Sequence, residues 1–281
     1  MSSAETAVHF DCAGDRLLGI THVPDKPHAR GVVVITGGPQ YRVGSHRQFT
    51  LLSRQLAARS YASLRFDYRG MGDSGGEPRS FERIDSDIRA AIDALIAHTP
   101  AVKEVILWGL CDAASAALMY AHRDARVTGM VLLNPWVRSE SGIAKAYLKH
   151  YYLGRLLEGD LWRKILRGEF KPIEAWTSFV GMVRARFRTR EAHVDDDKLP
   201  FQQRMLDGFR RFRGRILIIL SGNDLTAAEF ADYVSGSSEW REILQAPRVV
   251  RRELGPANHT FASAEWRAQV ESWTFEWMQS W

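Results

Sequence analysis

Read for where its apolar residues fall, the chain changes period repeatedly, and each change marks an element. Val8–Cys12 and Arg16–Val23 flank Ala13-Gly14-Asp15, which predicts an antiparallel hairpin. Gly31–Ile35 is a short continuous apolar run, the signature of a strand buried on both faces. Phe49, Leu52, Leu56 and Ala57 then recur at helical spacing. The alternation continues with a strand at Ala62–Phe66 and a helix striped by Ile84, Ile88, Ile92, Leu95 and Ile96. A strand at Val105–Leu110 then runs into an Ala-rich helix, and another strand spans Val127–Asn134. Further on come a strand at Arg215–Leu220, a helix near Ala227–Leu244 and a strand at Arg248–Glu253. A loop holding His259 and a final helix close the chain. Strand and helix in steady alternation predict a mostly parallel sheet with helices on both faces, an α/β fold.

The rhythm fails in one place. Between Asn134 and Arg215 the sequence offers amphipathic helical patterns and no strand, which predicts an insertion rather than a loop. The expected division is a core of residues 1–136 and 214–281 with a helical cap, or lid, at 137–213. Charge gathers in the same segment. Residues 138–213 carry 17 basic and 10 acidic side chains, while the whole chain has a formal net charge of +5. That excess fits an anionic ligand or an anionic membrane surface, and equally a set of solvated helix faces. No zinc-finger, RNA-binding or helix-turn-helix pattern accompanies it, so nucleic acid is not expected as a partner.

Composition adds limits. The 281 residues are 45% hydrophobic and 25% charged, which is globular usage. Two cysteines, Cys12 and Cys111, make no disulfide framework. The amino terminus lacks the basic and apolar segments of a leader, and no apolar run reaches membrane-spanning length. A cytoplasmic protein without an integral membrane segment is the expectation. Neither a metal-ligand set nor a cofactor motif stands out.

The candidate chemistry lies at strand ends, where ligands of open α/β sheets bind. Trp108-Gly109-Leu110-Cys111-Asp112-Ala113 has the form small-x-nucleophile-x-small, a sharp strand-to-helix turn that presents Cys111 above the sheet. Backbone N–H groups of Gly38, in Thr36-Gly37-Gly38-Pro39, and of Asp112 are the candidate oxyanion donors. Asp224, in Ser221-Gly222-Asn223-Asp224, is the candidate acid, although Asp in such a turn also caps helices. His259 lies in the last loop, after Gly255-Pro256. Nucleophile, acid and histidine come in the order of an α/β-hydrolase triad with Cys for Ser. A thiol beside a histidine and a helix N-terminus is expected to ionise easily. Gln40, Arg47 and Trp136 are the candidate substrate contacts.

The chain resembles the α/β-hydrolases over nearly its whole length apart from the insertion. Asp67-Tyr68-Arg69-Gly70-Met71-Gly72-Asp73-Ser74 is similar to the family's D-x-R-G-x-G-x-S loop, which the resemblance implies is structural. Gly37-Gly38-Pro39-Gln40-Tyr41-Arg42-Val43-Gly44-Ser45-His46-Arg47, Phe10-Asp11-Cys12 and Trp108–Asp112 resemble the exosortase-A-system-associated hydrolases, type 1. That likeness implies a bacterial exopolysaccharide or protein-sorting context and no particular substrate. Thr36 stands where the family's His-Gly oxyanion motif has His, and Cys111 where it usually has Ser. In triad type the chain is similar to dienelactone hydrolases.

The expected function is therefore hydrolysis of a small-molecule ester, thioester or lactone through an acyl-enzyme on Cys111, with Asp224 and His259. An acyltransferase acting on a polysaccharide precursor is the related alternative. A non-catalytic binding module on a hydrolase fold is the alternative of another class. Tyr147, Tyr151, Tyr152, Trp162, Trp176 and Phe179 in the cap are candidates for an acyl pocket or for the cap's own core. Trp266, Val270, Trp273, Trp277 and Trp281 stripe the last helix, and Trp281 at its end is a candidate for a homodimer interface.

Overall fold

The computed structural model describes residues 3–38, 40–138 and 199–281, and elements are numbered among these. The strands are β1 (Ser3–Cys12), β2 (Asp15–Pro24), β3 (Arg30–Ile35), β4 (Ser63–Phe66), β5 (Glu104–Leu110), β6 (Val127–Leu133), β7 (Arg215–Ser221) and β8 (Val249–Leu254). The helices are α1 (Gln48–Ala58), α2 (Asp85–His98), α3 (Asp112–Tyr120), α4 (Phe201–Arg211), α5 (Leu225–Gly236), α6 (Ser238–Leu244) and α7 (Ala264–Gln279). The eight strands form one sheet in the order β1-β2-β4-β3-β5-β6-β7-β8. β2 pairs antiparallel with β1 and β4, and every pair from β4 onward is parallel. This is the α/β-hydrolase fold.

The period-two alternation of the strands divides the core between the two faces. Val33 and Ile35 of β3 join one apolar cluster, with Ile88 and Ile92 of α2, Ala117 of α3 and Phe230 of α5. Val32 and Val34 join the other, with Leu52 and Leu56 of α1 and Phe275 and Met278 of α7. The continuous apolar runs of the inner strands are thus explained by helices on both sides. All reactive candidates then fall on loops at one edge, the carboxyl ends of the parallel strands.

Three expectations need adjusting. The helix expected near Ala227–Leu244 is two helices, because Gly236 is a poor helix former and Ser237 caps the second of them. Ser237 has extended backbone, and its hydroxyl accepts from the Trp240 N–H. Phe201–Arg211, grouped with the insertion on sequence, folds as α4 against α3, with Met205, Leu206 and Phe209 buried beside Leu118 and Met119. Met1–Arg138 and Phe201–Trp281 form one compact unit, and Ser139–Pro200 is set apart as a second. The cap aromatics from Tyr147 to Phe179 lie outside the described residues. Trp281 does not protrude. Its ring sits 5.7 Å from Trp277, the Arg30 guanidinium lies 3.7 Å above it, and Arg30 donates to its carbonyl at 2.6 Å. The side chain offered for a homodimer interface is spent within the chain.

Candidate active site

Cys111 ends β5 and begins α3 in one residue. Its backbone has φ 64 and ψ −124, a left-handed setting that costs a non-glycine residue on the order of 1–3 kcal/mol. Hydrogen bonds from both flanking elements hold it there, the Ala114 N–H on the Cys111 carbonyl at 3.1 Å among them. The Cys111 N–H donates to the Leu133 carbonyl at 2.8 Å, and the Cys111 carbonyl accepts from the N–H groups of Trp136 at 3.2 Å and Ser115 at 3.3 Å. The Ser115 hydroxyl also donates to the Trp136 carbonyl at 2.7 Å, tying the segment after β6 to the elbow. Gly109 is required two residues earlier, because a Cβ there would lie 2.7 Å from the Ala113 carbonyl carbon. The small-x-nucleophile-x-small spacing therefore reports a real close approach of strand and helix.

Asp224 and His259 meet across 35 residues of sequence. His259 Nδ1 lies 2.8 Å from Asp224 Oδ2, and the Asp224 side chain is 7% exposed. The same carboxylate accepts the Thr226 and Ala227 N–H groups at 3.2 and 3.1 Å, so it caps α5 as well. The helix cap and the histidine partner are one residue. Its two oxygens are fixed by backbone, and one of them also faces the imidazole.

A residue that sequence reasoning passed over holds this corner together. Asn134, fully buried at the end of β6, accepts the Ser221 N–H at 2.9 Å. Its amide donates to the Ser221 hydroxyl at 2.8 Å and to the His259 carbonyl at 3.1 Å. It thereby joins the ends of β6 and β7 to the histidine loop. Its only signal in the sequence was a polar side chain closing an apolar strand.

The proposed oxyanion donors behave differently from expectation. The Gly38 N–H donates to Asp112 Oδ2 at 2.8 Å, while Asp112 Oδ1 accepts the Ala113 N–H at 3.0 Å. A Cβ on Gly37 would overlap Asp112 Oδ1, so that glycine admits the carboxylate. The Asp112 backbone N–H favours the ionised form of the Cys111 thiol. The Gly38 N–H is thus engaged by the side chain that follows Cys111.

The other candidates separate. Gln40 braces its own loop, its N–H on the Gly37 carbonyl at 3.3 Å and its side-chain oxygen accepting from Ser45 N at 3.4 Å. Arg47 is exposed at the start of α1, with φ 61. Its neighbour Arg42 is the one that pairs, with Asp67 and with Asp73. Trp136 lies at the elbow, under Arg138, whose Cζ is 4.7 Å from the ring centre. Arg138 Nε in turn donates to both carboxylate oxygens of Glu229, at 3.1 and 2.9 Å.

The electrostatics reverse one expectation. The Cys111 thiol is pushed up to about 12, first by burial and then by the neighbouring Asp112 carboxylate. Asp224 adds to the rise, while the Asp112 N–H and Arg138 work against it. A sequence reading of thiol, histidine and helix N-terminus anticipates easy ionisation; the carboxylates and desolvation outweigh the helix. Among the described residues no hydrogen bond joins Cys111 Sγ to His259. No group of three or more His, Cys, Asp or Glu among them could hold a metal ion. No described helix is long and apolar enough to cross a membrane.

Comparison with known proteins gives a family and a set of folds. The model of the alpha/beta hydrolase family matches residues 32–272. An esterase from Pyrococcus furiosus superposes with a TM-score of 0.69 at 16% identity, covering 99% of this chain and 93% of that one. An alpha/beta hydrolase from Penicillium sp. sh18 gives 0.63 at 15%, with 98% of each chain covered. A putative hydrolase from Agrobacterium vitis S4 gives 0.59 at 15%, covering 99% of each. No curated protein sequence matches the chain significantly.

Proposed function

Because the chain belongs to the alpha/beta hydrolase family, we propose that it hydrolyses small esters, thioesters or lactones through an acyl-enzyme on Cys111. The observation that carries this reading is the 2.8 Å contact of His259 Nδ1 with Asp224, in the loops after β8 and β7, beside a nucleophile elbow at Cys111. With its Nδ1 proton facing the carboxylate, His259 keeps Nε2 as the base.

In the proposed reaction Nε2 takes the thiol proton as Cys111 Sγ bonds to the carbonyl carbon, and the π pair moves to oxygen. Collapse of the tetrahedral species breaks the bond to the leaving group, which takes its proton from His259. Water then adds to the thioester and gives its proton to His259. A second collapse releases the acid and the thiolate, which regains the proton. A thiol held near 12 makes His259 a necessary partner, since little thiolate exists before attack.

The likeness to exosortase-associated hydrolases supports a place in exopolysaccharide metabolism, where transfer of the acyl group to a sugar hydroxyl is the neighbouring chemistry. The segment at 139–198 is assigned to substrate choice on its sequence alone. A non-catalytic module is favoured by one observation, the engagement of the Gly38 N–H by Asp112. Hydrolysis of p-nitrophenyl butyrate by the intact protein decides between them. Turnover lost in both Cys111→Ala and His259→Ala supports the enzyme. Turnover surviving both substitutions, or none in any protein, defeats it.

A further inference from the structure

Among the described residues His259 has two hydrogen-bond partners. Asp224 holds its ring at Nδ1, and Asn134 holds its backbone, with Nδ2 donating to the His259 carbonyl at 3.1 Å. The side chain of His259 is 33% exposed, so packing alone does not fix it. A ring bonded at one nitrogen can still turn about its side-chain torsions. Where Nε2 comes to rest therefore depends on where the backbone of the loop is held.

Asn134 suits that contact in backbone and side chain alike. It follows β6 with φ 43, a left-handed setting that Asn tolerates better than most residues with a Cβ. Its fully buried amide offers an acceptor and two donors, and it uses all three. Oδ1 accepts the Ser221 N–H at 2.9 Å, while Nδ2 donates to the Ser221 hydroxyl at 2.8 Å and to the His259 carbonyl. Its own peptide lies beside the elbow. The Leu133 carbonyl before it accepts the Cys111 N–H, and the Trp136 N–H after it donates to the Cys111 carbonyl. The Asn223 N–H on the Ala257 carbonyl, at 2.9 Å, joins the histidine loop to the loop of the acid. The Asn134 amide joins it to the strand next to the nucleophile.

We propose that Asn134 is a positioning residue: through the His259 carbonyl it sets the imidazole in register with Asp224 on one side and Cys111 on the other. This rests on the hydrolase reading above and deepens it, by naming what holds the base in place besides the acid. Asn134 touches no reacting atom and acts through His259 alone. A base that must meet a carboxylate and a thiol at once is sensitive to small displacements, a shift of about 1 Å costing on the order of 10²-fold in rate.

Asn134→Gly tests it, because glycine loses the amide and still accepts φ 43. On p-nitrophenyl butyrate kcat should fall on the order of 10²-fold with KM nearly unchanged, since geometry is lost and binding is not. Proton NMR gives a second readout. The far-downfield resonance of the His259 Nδ1–H facing Asp224, present in the wild type and missing from His259→Ala, should weaken or vanish in Asn134→Gly at a temperature where that variant is folded. Ser221→Ala keeps the bond to the His259 carbonyl and the acceptor for the Ser221 N–H, so its rate and resonance should stay as in the wild type. A rate or a resonance that Asn134→Gly leaves unchanged overturns the proposal, and so does a wild-type spectrum without the resonance. An equal loss in Ser221→Ala overturns it too, by placing the effect in the joint between β6 and β7. If Asn134→Gly does not fold, Asn134→Asp, which keeps the shape and the acceptor, is read in the same way. If neither folds, Asn134 is a strut of the sheet and the proposal fails. The resonance needs no turnover. Absence of any ester hydrolysis sensitive to Cys111→Ala therefore defeats the hydrolase reading, while the resonance alone still decides the role of Asn134.

Discussion

Asp67 at the end of β4 and Asp224 at the end of β7 are both carboxylates in polar loops at the carboxyl ends of the parallel strands. Asp67 is fully buried, and every contact it makes is inward. It accepts the Arg42 N–H at 2.6 Å, the Asp73 N–H at 3.1 Å and the Arg42 guanidinium. Nearby, Asp87 is equally buried and takes the Arg69 guanidinium and N–H at 2.8 and 2.9 Å. Asp224 accepts two N–H groups of its own helix and keeps a face for His259. The first loop uses its charges to hold backbone in place. The second uses backbone to hold a charge in place, with a titratable ring against it. Where a carboxylate's lone pairs go, more than burial or loop position, separates a strut from a candidate catalyst.

The sharpest way to break the comparison is Asp224→Asn. Asn caps a helix about as well as Asp, so thermal unfolding should barely move. Losing the charge and the correct tautomer of His259 should lower kcat/KM by about 10⁴-fold, the scale of the equivalent loss in serine-protease triads. A large fall in Tm with little change in rate would make Asp224 a strut like Asp67.

Alkylation of Cys111 sharpens the same point with the next largest effect. A thiol raised to about 12 is protonated below that pH, so its thiolate fraction should climb about tenfold per pH unit, or on the order of a thousandfold from pH 8 to pH 11. Iodoacetamide labelling followed by mass spectrometry should show that slope at Cys111, ahead of the more deeply buried Cys12. Because the Asp224 charge helps raise the thiol, Asp224→Asn should label faster while turning over slower. A labelling rate that levels off near pH 7 would instead reveal a preformed thiolate–imidazolium pair.

Asp67→Ala is the third test. Removing one member of a buried ion pair, with two N–H groups also left without their acceptor, costs about 3–5 kcal/mol. The loss should be read in urea or thermal unfolding. The kcat of the molecules still folded should fall far less than in Asp224→Asn.

The two loops were not equally legible in the sequence. The inner strands announced themselves by apolar runs, the first two by the turn between them, and each candidate residue by its place after a strand, so Cys111, Asp224 and His259 could be set in order before any contact was known. The D-x-R-G-x-G-x-S likeness separated Asp67 from the catalytic candidates. What stayed hidden were contacts between residues distant in sequence. Gly38 and Asp112 are 74 positions apart, and both read as backbone donors, so nothing suggested that one residue's side chain would occupy the other's N–H. Asn134 read as the end of a strand. The amphipathic face of Phe201–Arg211 was visible, but amphipathicity does not name the neighbour it packs on, which is α3.

The smallest effect is expected at the opposite edge of the sheet, and it calibrates the others. Arg30 stacks on Trp281 and donates to the carbonyls of Met278 and Trp281 at 3.0 and 2.6 Å, while its Nε pairs with Glu104 at 2.9 Å. These contacts fasten the last turn of the chain to the amino end of β3, far from every strand end that carries chemistry. Deleting Trp281 removes the stack, worth about 0.5–1 kcal/mol at a partly exposed site, and exposes some of Trp277. Thermal unfolding should therefore drop by a few degrees at most, with kcat/KM on the ester substrates and the labelling slope of Cys111 as in the intact chain. Sedimentation velocity should give the same species before and after the deletion, since the ring is engaged within the chain. A change in assembly state would return Trp281 to an intersubunit role. A fall in kcat/KM would mean that the two edges of the sheet are coupled, and stability lesions such as Asp67→Ala could then no longer be separated from catalytic ones by rate alone.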